Sequence, residues 1–231
     1  MFLSDLAIKN LCTNSLHHQV IYTEVMDDVT NDPDYGAAVY ERPLFYIHLD
    51  KPMIEPFIDS FQNESNEGHR LPSYGLSSFG YDVRLSDDIK IFSNVHGGIV
   101  DPLEHSDDNF IKAVIKKNSK GLRYFTLPPN SYALGVTREY FTMPTNVIGI
   151  CLGKSTYARC GIEINTTVIE AGWEGQIVIE IGNGSSLPVK IYVDGGISQI
   201  NFGLGTEECL NSYAVGNRKY QGQTGLTFAK G

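Results

Sequence analysis

From residue 81 onward, apolar residues come in short alternating or continuous runs, roughly ten residues apart, separated by Gly, Pro, Asn and Asp. That spacing predicts many short strands and an all-β barrel or sandwich. The most informative run is Ile177-Val178-Ile179-Glu180-Ile181. β-Branched residues dominate it, so it reads as a strand, with Gln176, Val178 and Glu180 on one face and the isoleucines on the other. The first dozen residues follow a different rhythm. Ser4 can cap a helix, Asp5 suits its positive end, and Leu6, Ile8 and Leu11 give a partial apolar stripe. Residues 27–35, acidic and containing Asn and Pro, read as a loop; Phe45-Tyr46-Ile47 reads as an added strand, and the polar residues 63–72 as a second loop.

Glu180 stands out chemically because its neighbours are apolar. A carboxylate so placed loses water, which raises its pKa from about 4.3. At roughly 6 to 7 it can both take and return a proton near neutral pH. The plain alternatives are an edge or solvent-facing position, or a salt bridge with a residue such as Arg159. Upstream, Lys154-Ser155-Thr156 follows Gly153 and suits phosphate binding through backbone N–H groups and the lysine. Position 148 is Ile, so the segment lacks the spacing of a P-loop.

Composition narrows the picture. A chain of 231 residues fits one domain with a substantial core. Its net charge of −9 argues against sequence-independent nucleic-acid binding. A phosphorylated ligand must find a local positive field, which Lys154, Arg159, Arg218 and Lys219 can supply together with Mg²⁺ on the phosphate oxygens. No apolar run approaches a membrane span, and the N-terminus does not read as a secretory signal. Four scattered cysteines, Cys12, Cys151, Cys160 and Cys209, are expected as buried free thiols in a reducing cytoplasm. His17-His18 reads as surface helix.

The segment CLGKSTYARCGI (151–162) closely resembles the dCTP deaminase family of the trimeric dUTP diphosphatase superfamily. Other pieces resemble it in the same order: MIEPF (53–57), SYGLSSFGYDVRLSDDIKIF (73–92), IVDP (99–102), LPPNSYALGVTREYFTMPTNVIGI (127–150), WEGQIVIEIGN (173–183), LPVKIYVDGGISQINF (187–202) and KYQGQTGLT (219–227). The resemblance implies a mostly β, distorted-barrel or jelly-roll-like dUTPase-type fold with a few short helices. It places a single domain at 51–231, ending in a lid at about 216–231, after an N-terminal extension at 1–50. Members assemble as homotrimers with active sites between subunits.

By the same resemblance the substrate is dCTP, deaminated to dUTP and ammonia, with Glu180 as general base and acid. Ser155 and Arg159 match the residues that position the water and orient the glutamate; the Arg159 charge would lower a pKa that burial raises. Lys154 and Thr156 match triphosphate contacts, and Gln199, Tyr213, Lys219 and Gln223 further nucleotide contacts. Glu170 matches an acidic residue that recognises deoxyribose. Thr166-Thr167-Val168 stands at the wall expected beside the base, and Trp173 is expected in the core. Mg²⁺ would ride on the triphosphate. No histidine is followed by a Glu two residues later and no P-C-x-x-C pair exists, so deamination is expected without zinc. Two other readings are a bifunctional enzyme that also releases pyrophosphate to give dUMP, and a non-catalytic nucleotide sensor.

Overall fold

The structure, a computed structural model, describes residues 1–13, 18–21, 45–95, 97–105, 107–216 and 218–230. The loop expected at 27–35 and His17 lie outside the described residues. Helix α1 (Asp5–Thr13) is followed by β1 (His18–Ile21), β2 (Phe45–His48), β3 (Ile54–Glu55), β4 (Gln62–Glu64), β5 (Arg70–Ser77) and β6 (Gly80–Phe92). Next come β7 (Phe110–Lys112), β8 (Lys116–Lys117), β9 (Arg123–Leu127), β10 (Ser131–Thr142) and β11 (Val147–Gly153). A single turn, α2 (Ser155–Ala158), leads to β12 (Ile162–Asn165), β13 (Glu174–Asn183), β14 (Val189–Tyr192) and β15 (Gly196–Leu204). The protein is mostly β, as the spacing of apolar runs predicts.

The main sheet runs in the order β11-β15-β6-β10-β13-β12. Strand β6 gives it its curl. Its first half lies between β5 and β15, with Asp82 facing Gly75 on one side and Gln199 on the other. Its second half lies between β7 and β10, with Ile91 facing Ile111 and Ala133. The exchange falls at Arg84 and Leu85, where the register against both neighbours shifts. Strand β10 carries a matching irregularity against β13 between Val136 and Tyr140. A bulge of this kind bends a strand and increases its twist. Its backbone groups are satisfied: Thr137 Oγ1 donates to the Glu139 carbonyl (2.7 Å) and accepts from Ile177 N (2.9 Å).

Helix α1 packs into the same core as the sheet. Ser4 caps it, its Oγ accepting from Ala7 N at 3.4 Å. Ala7, Ile8, Leu11 and Cys12 are buried against the sheet, whereas Leu6 is 65% exposed, so the apolar stripe lies one position round from the expected one. Leu3 N donates to the Phe202 carbonyl (2.9 Å) and Met53 N to that of Leu11 (3.0 Å).

Three further expectations are corrected. The polar stretch 63–72 is a hairpin: Gln62 faces Tyr74 and Glu64 faces Arg70 across a turn at Gly68, whose φ of 74° suits a residue without a side chain. Its first strand is largely solvated and its second mostly half-buried without alternation, so no apolar period marked them. His18 begins strand β1 rather than continuing a helix, which ends at Thr13. All four cysteines are free, but Cys160 and Cys209 are exposed. Among the described residues, no helix is long and apolar enough to cross a membrane.

Candidate active site

Glu180 lies in β13 between β10 and β12, opposite Leu134 on one side and Asn165 on the other. Burial alternates along the strand, with Gln176, Val178 and Glu180 half-buried and Ile177, Ile179 and Ile181 buried behind them. Each isoleucine contributes about 1.5–3 kcal/mol through burial, which fixes the register and thereby the direction of Glu180. The carboxylate opens into a cavity of about 590 Å³ whose walls near it are Leu134 and Val178. Burial pushes its pKa up to about 7.

The residues singled out by sequence divide into two groups. Val168, Glu170, Tyr213 and Gln223 line the cavity with Glu180. Lys154, Ser155, Thr156, Arg159, Gln199 and Lys219 do not. Ser155, Thr156 and Arg159 are exposed on and beside α2, and among the described residues Arg159 makes no ion pair with Glu180. Lys154 reaches into the first half of β6, where it pairs with the buried carboxylate of Asp82. Gln199, from the adjacent β15, donates to Ser77 Oγ at 3.0 Å. The Lys154 charge that sequence offered to a phosphate is thus already matched inside the protomer.

Tyr220, Gln223 and Thr227–Ala229 of the C-terminal tail form one wall of the cavity. The Trp173 indole N–H donates to the Tyr220 carbonyl (2.9 Å), and Gly222 N to that of Glu174 (2.9 Å). Gln176 and Gln223 exchange bonds: Gln176 N donates to the Gln223 carbonyl (2.9 Å) and Gln223 Nε2 to the Gln176 carbonyl (2.7 Å). This approach requires Gly175, because a Cβ there would stand 2.7 Å from the Trp173 ring and 3.0 Å from the Gln223 carbonyl. Trp173 is buried in the core, as expected, and also forms part of the cavity wall. Lys219 is exposed and donates to the Lys230 carbonyl (2.9 Å).

Sequence reading missed one sector of the cavity: His105, Phe110, Tyr132 and Phe228. Tyr132 was legible in principle, since it shares the strand face of Leu134. His105 and Phe228 were not, because the first sits in a polar connection and the second follows the last matching motif.

A family model described as dCTP deaminase-like matches residues 50–204. The chain belongs to that family. Its relatives include a dCTP deaminase of Protochlamydia amoebophila, 49% identical over 179 residues, or 78% of this chain and 91% of that protein. A dCTP deaminase of Alcanivorax borkumensis is 46% identical over 190 residues, 82% of this chain and 97% of that one. Among solved structures, the 2'-deoxycytidine 5'-triphosphate deaminase from Agrobacterium tumefaciens is similar with a TM-score of 0.45 at 17% identity, covering 56% of this chain and 40% of that one. Family membership thus agrees with the motif order and the mostly β architecture, and it makes this chain an enzyme of the deaminase type.

Proposed function

We propose that the protein hydrolyses dCTP to dUTP and ammonia without zinc, with Glu180 as the proton-transfer group. The observation that carries this reading is the Glu180 carboxylate, held between Leu134 and Val178 on the cavity wall, whose pKa burial raises to about 7. Ionised, Glu180 removes a proton from water as the water oxygen bonds to C4 of the cytosine, and passes that proton to the ring nitrogen N3. Ionised again, it takes the remaining proton from the C4 hydroxyl and delivers it to the exocyclic amine; the C4–N bond breaks, ammonia leaves and C4 becomes a carbonyl. A group titrating near the working pH suits both halves of that cycle.

Ser155 and Arg159 position the water and the carboxylate, and both stand outside the cavity of their own protomer. In our reading they serve the cavity of a neighbouring subunit in a homotrimer, along with Thr156 at the triphosphate, which Lys154 reaches only by giving up its pairing with Asp82. Gln199, Tyr213, Lys219 and Gln223 make further contacts with the nucleotide, Glu170 meets the deoxyribose and Val168 the base. Mg²⁺ would bind with the triphosphate and offset its charge. The compartment we assign is the cytoplasm, where free thiols persist.

Glu170 favours a second reading, since an acidic group on the cavity wall could activate water toward the phosphates and give dUMP. Incubation with dCTP and Mg²⁺, followed by mass resolution of the nucleotides, separates the two. dUTP supports simple deamination, dUMP the bifunctional form. Wild-type protein giving neither would overturn both.

A further inference from the structure

The sector that sequence reading missed has a definite place along the cavity. Gln223 pairs with the β13 backbone at Gly175 and Gln176, whereas Tyr132 faces Gly182, beyond Glu180. Between those points lies roughly 20 Å of strand, at about 3.4 Å per residue. Glu180 stands between them. His105 belongs to the far end: its ring stacks on Phe228 (5.4 Å between centroids, 23°) and tilts against Phe110 (5.7 Å, 44°).

His105 brings ring nitrogens to this aromatic group, and among the described residues its buried Nδ1 has no hydrogen-bond partner. At the other end of the cavity the Gln223 Oε1 is buried and unpartnered as well. Native proteins rarely leave such atoms unmatched, because their lost hydration goes uncompensated. Both residues line one cavity, and a ligand that reaches its far end can supply the partner missing at His105 Nδ1.

Resting on the deaminase reading, we propose that His105 is a specificity-determining residue for the pyrimidine. With C4 at Glu180 and the triphosphate toward Lys219 and Gln223, the part of the substrate beyond Glu180 is the outer edge of the base, which carries the exocyclic amine and C5. His105 Nδ1 hydrogen-bonds that edge, and its ring carries the tail residue Phe228 across it. Base recognition and closure of the tail therefore meet in one side chain.

The test compares wild type with His105→Phe and His105→Asn, using dCTP and 5-methyl-dCTP. Phenylalanine keeps the stack on Phe228 and removes the nitrogen; asparagine keeps a polar group near it. His105→Phe should raise KM for dCTP about tenfold, the weight of one hydrogen bond, with kcat changed by less than about twofold. Its kcat/KM ratio between the two substrates should shift at least about fivefold, which a packing role would not produce. His105→Asn should recover most of the loss in KM. A His105→Phe enzyme with wild-type KM and wild-type discrimination would sink the proposal while leaving the deaminase reading intact. Wild-type protein that gives no product from dCTP would remove that reading, and this inference with it.

Discussion

Arg84 and Glu139 meet at the corner where β6 changes partners and β10 bulges. Glu139 is fully buried, and its carboxylate accepts from the backbone N–H of Arg84 at 2.9 Å and from Arg84 Nε at 2.7 Å. The two irregularities coincide because one side chain satisfies backbone and guanidinium together. Removing one partner would leave a buried charge unmatched.

Glu139→Ala should therefore lower stability by about 3–5 kcal/mol, the usual penalty for orphaning a buried charge. Replacing both residues with apolar ones of similar volume should cost less. Urea unfolding of the single and double variants checks the order; a single variant within about 1 kcal/mol of wild type would contradict the role given to the pair.

Glu180→Gln should lower turnover by at least about 10²-fold, the low end for general acid–base catalysis, while leaving dCTP binding measurable. Single-turnover kinetics with isothermal titration would separate the two.

Linkage gives Glu180 a second signature. Its folded pKa of about 7 lies above the ordinary carboxylate value, so the native protein binds the proton more tightly than the unfolded chain. Its contribution to stability is full below pH 4.5 and is lost as pH rises through 7. Wild type should lose about 2–3 kcal/mol relative to Glu180→Gln between pH 5 and pH 8. Denaturant titrations at both pH values measure it. A neighbouring subunit that brings Arg159 to the carboxylate would shrink the difference, and Arg159→Ala would then restore it.

The division of the site residues predicts complementation. Glu180→Gln and Arg159→Ala proteins, each inactive, should regain a fraction of wild-type turnover after being unfolded and refolded together, because mixed assemblies contain interfaces with both native residues. Activity that stays absent despite confirmed mixing would mean that both groups act within one protomer.

Much of this was readable before any coordinates. The strand at 174–183 and the face of Glu180 follow from alternation alone, because a slip of one residue would expose three isoleucines. The helix start at Ser4 follows from local capping. The 62–77 hairpin was hidden because a short solvated strand and a half-buried one without alternation carry no apolar period. The pairing of Lys154 with Asp82 was hidden for another reason: the two are 72 residues apart, and only the exchange of partners along β6 and β15 brings them together. Likewise, no spacing rule places His105 on Phe228.

Removing the tail after residue 218 should expose the face of Trp173 now held by Tyr220. As the chain's one tryptophan, it should report the loss as a red-shifted emission, and kcat/KM should fall about tenfold or more as water enters the cavity. An unshifted spectrum would mean that the tail is not seated in solution.

The bonds that seat the tail near Trp173 and Gln176 join neutral groups: an indole N–H, three amide side chains and backbone N–H and carbonyl groups. Capture of a polyanion, by contrast, depends on charge and weakens as added ions shorten the Debye length. Ionic strength should therefore act as a scalpel here. Adding potassium chloride should loosen the hold on the nucleotide while leaving the tail's bonds near Trp173 and Gln176 nearly untouched, so salt titration can time capture and the seating of that segment as separate events.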